Sequence, residues 1–130
     1  MKVFKTRTFA RLVRNTDISD QALREAVERA MNGLVDAELG NGLVKQRVAR
    51  QGQGRSGGYR TIIALRAGDR AFFLHCFAKN DRANISDTEL RSLREIAAHW
   101  LDTSPAQIEA ELEAGRLLEV KHGKKKNSEA

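Results

Sequence analysis

Between residues 59 and 78 the chain carries two β-rich runs joined by a short Gly-containing turn. Tyr59, Thr61, Ile62 and Ile63 dominate the first run, which ends at Leu65. Phe72, Phe73, Leu74 and Phe77 dominate the second, a nearly continuous apolar stretch from Ala71 to Ala78. Ala67–Gly68–Asp69–Arg70 is the tight turn between them, and runs joined this way read as an antiparallel hairpin. Just upstream, Leu43 to Arg50 alternates, with Val44 and Val48 on one face and Lys45 and Arg47 on the other. That period of two is the signature of a strand. Gln51 to Gly58 holds four glycines in eight residues and reads as the loop between these strands. The middle of the chain is therefore expected to be three consecutive antiparallel strands.

Helical periodicity brackets this core. Lys2 to Lys5 alternates and suits a short edge strand, and Phe9, Leu12 and Val13 then mark one face of a short helix. Ser19 with Asp20 behind it is a helix start, an N-cap followed by an acid in the first turn. Leu23, Val27, Ala30 and Leu34 keep one apolar face beyond it, and Gly33 and Gly40–Asn41–Gly42 are the stop and turn signals. Downstream, Ser86 and Glu89 form a capping box with Ile85 and Leu90 as its hydrophobic staple. Leu90, Leu93, Ala97 and Trp100 should face the sheet. Ser104–Pro105–Ala106–Gln107 opens another helix with proline at its first position. Leu117, Leu118 and Val120 suit an edge strand or the core. The expected order is βααβββα plus a C-terminal helix, an α+β fold with an antiparallel sheet packed on helices. Residues 1–120 read as a single domain and 121–130, with Lys124–Lys125–Lys126, as a basic disordered tail.

The 130 residues carry 23 Lys and Arg against 17 Asp and Glu, a net charge of +6. The excess is concentrated. Residues 43–82 hold Lys45, Arg47, Arg50, Arg55, Arg60, Arg66, Arg70, Lys79 and Arg82 against only Asp69 and Asp81. Such a block reads as an anion-binding face for nucleic acid, although ordinary surface lysine and arginine account for the count equally well. No apolar run approaches the roughly 20 residues of a membrane helix. The basic N-terminus is not followed by the apolar stretch of a secretory signal. No membrane association is expected, and a cytoplasmic location fits.

Several chemistries can be set aside. Cys76 is the sole cysteine, so neither an intrachain disulfide nor a cysteine-based zinc cluster is possible. On its strand it should face away from His75 and act as a small core hydrophobe. His75, His99 and His122 have no ligand spacing, so neither a metal nor any other cofactor is expected. The Gly52–Arg60 stretch lacks the phosphate-loop pattern and no helix follows it. What it offers is a flexible basic loop whose backbone N–H groups, Arg55 and the Ser56 hydroxyl suit phosphate.

A cluster of cations without metal or paired carboxylates suits RNA cleavage, because RNA carries its own nucleophile in the 2′-hydroxyl. The protein must align that group, deprotonate it and stabilise the added negative charge. Arginine forks match phosphate oxygens, and a lysine crowded by cations can serve as base. The same cluster could bind nucleic acid without cutting it.

Three segments resemble the RelE/HigB-like toxins of bacterial type II toxin–antitoxin modules, within the RelE/ParE superfamily and closest to its phage-derived branch. They are Lys45–Gln46–Arg47–Val48–Ala49–Arg50, Gly54–Arg55–Ser56–Gly57–Gly58–Tyr59–Arg60, and Phe77–Ala78–Lys79–Asn80 with Asn84–Ile85–Ser86. The resemblance covers about residues 1–120. It implies a compact microbial-ribonuclease-type fold and metal-independent cleavage of mRNA, often on the ribosome, that inhibits translation. It also implies neutralisation by a small antitoxin, commonly a helix-turn-helix protein. Arg60 matches the family's arginine after Gly–Tyr, and Lys45 and Arg47 match its basic strand positions. Asn80 stands where well-studied relatives have a catalytic arginine, and Ser86 where they have a tyrosine. The implied catalytic set is Arg60, Lys45 and Lys79, with Arg47, Arg50, Arg55, Ser56, Asn80 and Arg82 holding RNA. Arg66 and Arg70, beyond the far end of the strand, should matter less. The alternatives are a noncatalytic toxin of the ParE type acting on gyrase, or a basic RNA-binding module.

Overall fold

A computed structural model describes residues 1–50, 54–78 and 85–121, with the side chains of 50 and 54–57 excepted. The elements are β1 (Lys2–Thr6), α1 (Arg7–Val13), α2 (Asp20–Met31), β2 (Ala37–Gly40), β3 (Leu43–Arg50), β4 (Gly54–Arg66), β5 (Arg70–Ala78), α3 (Asp87–Asp102), α4 (Pro105–Glu113) and β6 (Leu117–Glu119). The strands form one six-stranded sheet in the order β2-β3-β4-β5-β1-β6.

The continuous apolar character of β5 follows from its place in the middle of this sheet. Ala71, Phe73 and Cys76 join one core with Phe9 and Val13 of α1 and Leu23, Ala26 and Val27 of α2. Phe72 and Leu74 join the other, with Leu93, Ala97 and Trp100 of α3 and Ile108 of α4. A strand covered on both faces has no polar side to alternate with. The register shift between Ile62 and Ile63 opposite β5 is a bulge. Beyond it His75 lines a cavity with Thr88, Glu89 and Leu93 of α3, while Cys76 belongs to the opposite core.

The local start signals act as expected. Ser19, Ser86 and Ser104 each accept a hydrogen bond at 3.1 Å from the third backbone N–H beyond them. The Ser86 N–H donates back to the Glu89 carboxylate at 3.1 Å, which closes the capping box. Four features differ from the sequence expectation. β1 is not an edge strand: it pairs parallel with β5 and antiparallel with β6, so the sheet is mixed. β2 is an additional strand, whose four residues include a glycine and lack β-branched side chains. α2 stops at Met31, leaving Leu34 62% exposed, because Gly33 turns left-handed at φ 82°. β4 begins at Gly54, inside the stretch expected to be loop. The tail at 122–130 lies outside the described residues.

The β2–β3 turn is specified by Asn41 and Gly42 at φ 55° and 81°. A Cβ on Gly42 would lie 2.8 Å from Leu101 Cδ1 and 3.2 Å from the Leu65 carbonyl. Arg94 of α3 donates to the Leu39 carbonyl at 2.9 and 2.7 Å, which fastens the same hairpin to the helix.

Burial pushes the Cys76 thiol up to about 12 by desolvation. The thiolate is the reactive species. Cys76 is therefore expected to resist alkylation at pH 8 in the folded protein and to react once denaturant exposes it. Labelling of the native protein at the denatured rate would place the thiol at the surface instead.

Candidate active site

The pairing of β3, β4 and β5 decides which basic side chains meet. Arg47 lies directly opposite Arg60, and Arg60 directly opposite Phe77. Directly opposed residues of antiparallel strands share a face, with Cβ atoms about 4.5–5.5 Å apart. Lys45 belongs to the same face, in the neighbouring row with Ile62 and His75. α3 covers this face from the His75 row onward and reaches the far end of the sheet, where Arg70 donates to the Thr103 carbonyl at 2.5 Å. The Arg47–Arg60–Phe77 row lies one step past the start of α3.

Like charges placed directly across two strands repel, and Arg60 adds the cost of burial, being only 6% exposed. The structure answers with a carboxylate. Asp36, at the bend before β2, receives the Arg47 Nε–H on Oδ1 and the Arg60 Nε–H on Oδ2, each at 3.1 Å. The Lys45 ammonium lies 3.8 Å from Oδ2. The β2–β3 hairpin brings Asp36 there: Ala37 pairs with Lys45, and the Asp36 N–H donates to the Lys45 carbonyl at 2.9 Å. Arg29 of α2 donates to the Arg47 carbonyl at 2.6 Å, bracing that strand from behind.

Both Asp36 oxygens are engaged, but the Arg60 guanidinium is not fully partnered. Its Nη1 is buried without a hydrogen-bond partner, the one such side-chain atom among the described residues. A buried, charged donor without an acceptor is costly, and its natural complement is an anion. Among the described residues, Lys45, Arg47 and Arg60 share the single carboxylate of Asp36. No group of three or more His, Cys, Asp and Glu side chains among the described residues is placed to hold a metal ion.

Of the residues singled out from the sequence, Arg60, Lys45 and Arg47 converge on one point. The backbones of Arg50, Arg55 and Ser56 lie at the adjoining ends of β3 and β4, where Arg50 pairs with Gly54. The side chains of Arg50, Arg55 and Ser56, and the whole of Lys79, Asn80 and Arg82, lie outside the described residues. Arg66 and Arg70 are remote, as expected. Arg70 is nonetheless buried, where it binds Asp69 at 3.0 Å and the Thr103 carbonyl behind α3. Asp36 stands outside the basic block in sequence, and only the β2–β3 pairing carries it in.

A family model described as "RelE toxin of RelE / RelB toxin-antitoxin system" matches residues 1–120. The chain belongs to the RelE toxin family. No match was found among curated proteins. As a RelE-family member the chain is a toxin of a toxin–antitoxin module, and its partner is an antitoxin. Among the described residues no helix is long and apolar enough to cross a membrane.

Proposed function

We propose that this RelE-family toxin is a metal-independent endoribonuclease that inhibits translation by cutting mRNA, on the ribosome as in the phage-derived, HigB-like relatives that it resembles. The observation that carries this reading is Arg60 Nη1, a buried cationic donor with no acceptor, in a row with Arg47. In the proposed reaction the RNA 2′-oxygen attacks the adjacent phosphorus and the 5′-oxygen leaves, giving a 2′,3′-cyclic phosphate. The pentacoordinate phosphorus carries one more negative charge than the phosphodiester. Arg60 and Lys45 stabilise that added charge, and donors fixed in advance do so at no reorganisation cost. Arg47, with Arg50, Arg55, Ser56, Asn80 and Arg82, holds the RNA backbone. Lys79, which follows β5, is the candidate base for the 2′-hydroxyl proton. The reaction would take place in the cytoplasm, and a helix-turn-helix antitoxin would silence it.

The test is incubation of the toxin with translating ribosomes and mRNA. Mapped cuts with cyclic-phosphate ends are expected, at a rate unaffected by a chelator. Growth arrest with mRNA intact and with gyrase inhibited would replace this reading with the ParE-type alternative.

A further inference from the structure

Asp36 lies outside every functional segment singled out by sequence, yet it is the only carboxylate bound to Lys45, Arg47 and Arg60 among the described residues. A carboxylate among phosphate-binding cations competes with the ligand, so its presence needs a reason. The geometry supplies one. Asp36 takes the Nε–H of both arginines, and a guanidinium held at Nε has its terminal nitrogens left for another acceptor. Arg60 Nη1 has no partner in the protein. An arginine has several rotatable bonds, and a second anchor removes most of that freedom before ligand arrives.

Charge gives the second reason. Asp36 offsets one positive charge of the Lys45, Arg47 and Arg60 cluster. Without it the site would hold the ground-state phosphodiester more tightly while fixing its donors less well. Tighter uniform binding does not raise turnover; only interactions stronger in the transition state do so.

We propose that Asp36 is the positioning residue of the RNA site, exchanging some affinity for RNA for an arginine pair fixed before RNA arrives. This inference rests on the nuclease reading for its catalytic half; its binding half stands apart from it.

The test compares the wild-type toxin with Asp36→Asn and Asp36→Glu. Cleavage of mRNA on translating ribosomes is measured beside binding of a 2′-O-methylated oligoribonucleotide, which has no nucleophile to cut itself with. Asp36→Asn keeps the shape and loses the charge. It should bind the methylated RNA more tightly and with a steeper salt dependence, since one more cation is free to displace counterions. Its kcat should fall about 10–100-fold, the scale of a misplacement near 1 Å. KM and kcat should thus both drop, a pattern that loss of stability alone does not produce. Asp36→Glu keeps the charge but shifts it by one methylene, so RNA affinity should hold while kcat falls. If Asp36→Asn does not fold, Asp36→Glu decides. Folded variants with wild-type kcat overturn the proposal. If the wild-type protein cuts nothing, the nuclease reading fails by itself. Binding then judges Asp36: unchanged affinity and salt slope in Asp36→Asn overturn its role, and tighter, more salt-sensitive binding upholds it.

Discussion

Arg60→Ala is expected to abolish growth arrest and to slow mRNA cleavage by about 100–1,000-fold, the usual cost of deleting one preorganised donor to transition-state charge. The effect should fall on turnover more than on RNA binding, because the charge Arg60 opposes is fully developed only in the transition state. The variant should fold. Arg60 pairs with Asp36, but Asp36 keeps Arg47 at 3.1 Å and Lys45 at 3.8 Å, so no carboxylate is stranded. A melting measurement beside the activity assay checks this. The control is Arg11→Ala, an exposed arginine on α1. Arg70→Ala is not a fair control, although it is as remote from the site. Its guanidinium is buried against the end of α3, so its loss removes a structural contact. Full cleavage by folded Arg60→Ala would show that the arginine after Gly–Tyr does not carry the reaction.

The parts of this fold legible in the sequence are those whose cause is local. Ser86 and Glu89 cap one another across three residues, and Ser104–Pro105 opens α4 without help from elsewhere. The β4–β5 hairpin follows from its turn, but the bulge between Ile62 and Ile63, which brings Arg60 opposite Phe77 and not Cys76, has no signal in the sequence. Alternation alone puts Lys45 and Arg47 on one face, and they share it in the sheet. What was not legible depends on distant pairing. β1 looked like an edge because nothing in Lys2–Lys5 reports that β6 will arrive from the far end of the chain, where the Val120 N–H donates to the Val3 carbonyl. Asp36 carries no local signal, because its partners lie nine or more residues away. The block of positive charge is legible in the sequence; the carboxylate that pairs with Lys45, Arg47 and Arg60 comes from outside the block.

Trp100→Ala is expected to destabilise the protein by about 3–5 kcal/mol, the range for deleting a buried large side chain. For a chain of 130 residues this corresponds to a fall in melting temperature on the order of 10–20 °C. The ring is 8% exposed. It stacks on Phe72 of β5 with centroids 5.3 Å apart, and Phe72 stacks in turn on Phe4 of β1 at 5.2 Å. The three rings tie α3 to the two strands whose pairing is parallel, the pairing that no turn enforces. Little else can move into the space, because Leu93 and Ala97 occupy the preceding turns of the same helix. Trp100 is also the sole tryptophan, so its emission should be blue-shifted in the folded protein and should red-shift with the unfolding transition. An unchanged melting temperature in Trp100→Ala would mean that α3 is held by its other contacts, among them Arg94 on Leu39 at mid-helix and Arg70 on Thr103 at its end. The basic row lies one step beyond the start of α3. A loss of stability from Trp100, remote from that row, should therefore lower the amount of folded toxin while leaving the cleavage rate per folded molecule unchanged, the reverse of the pattern expected for Arg60.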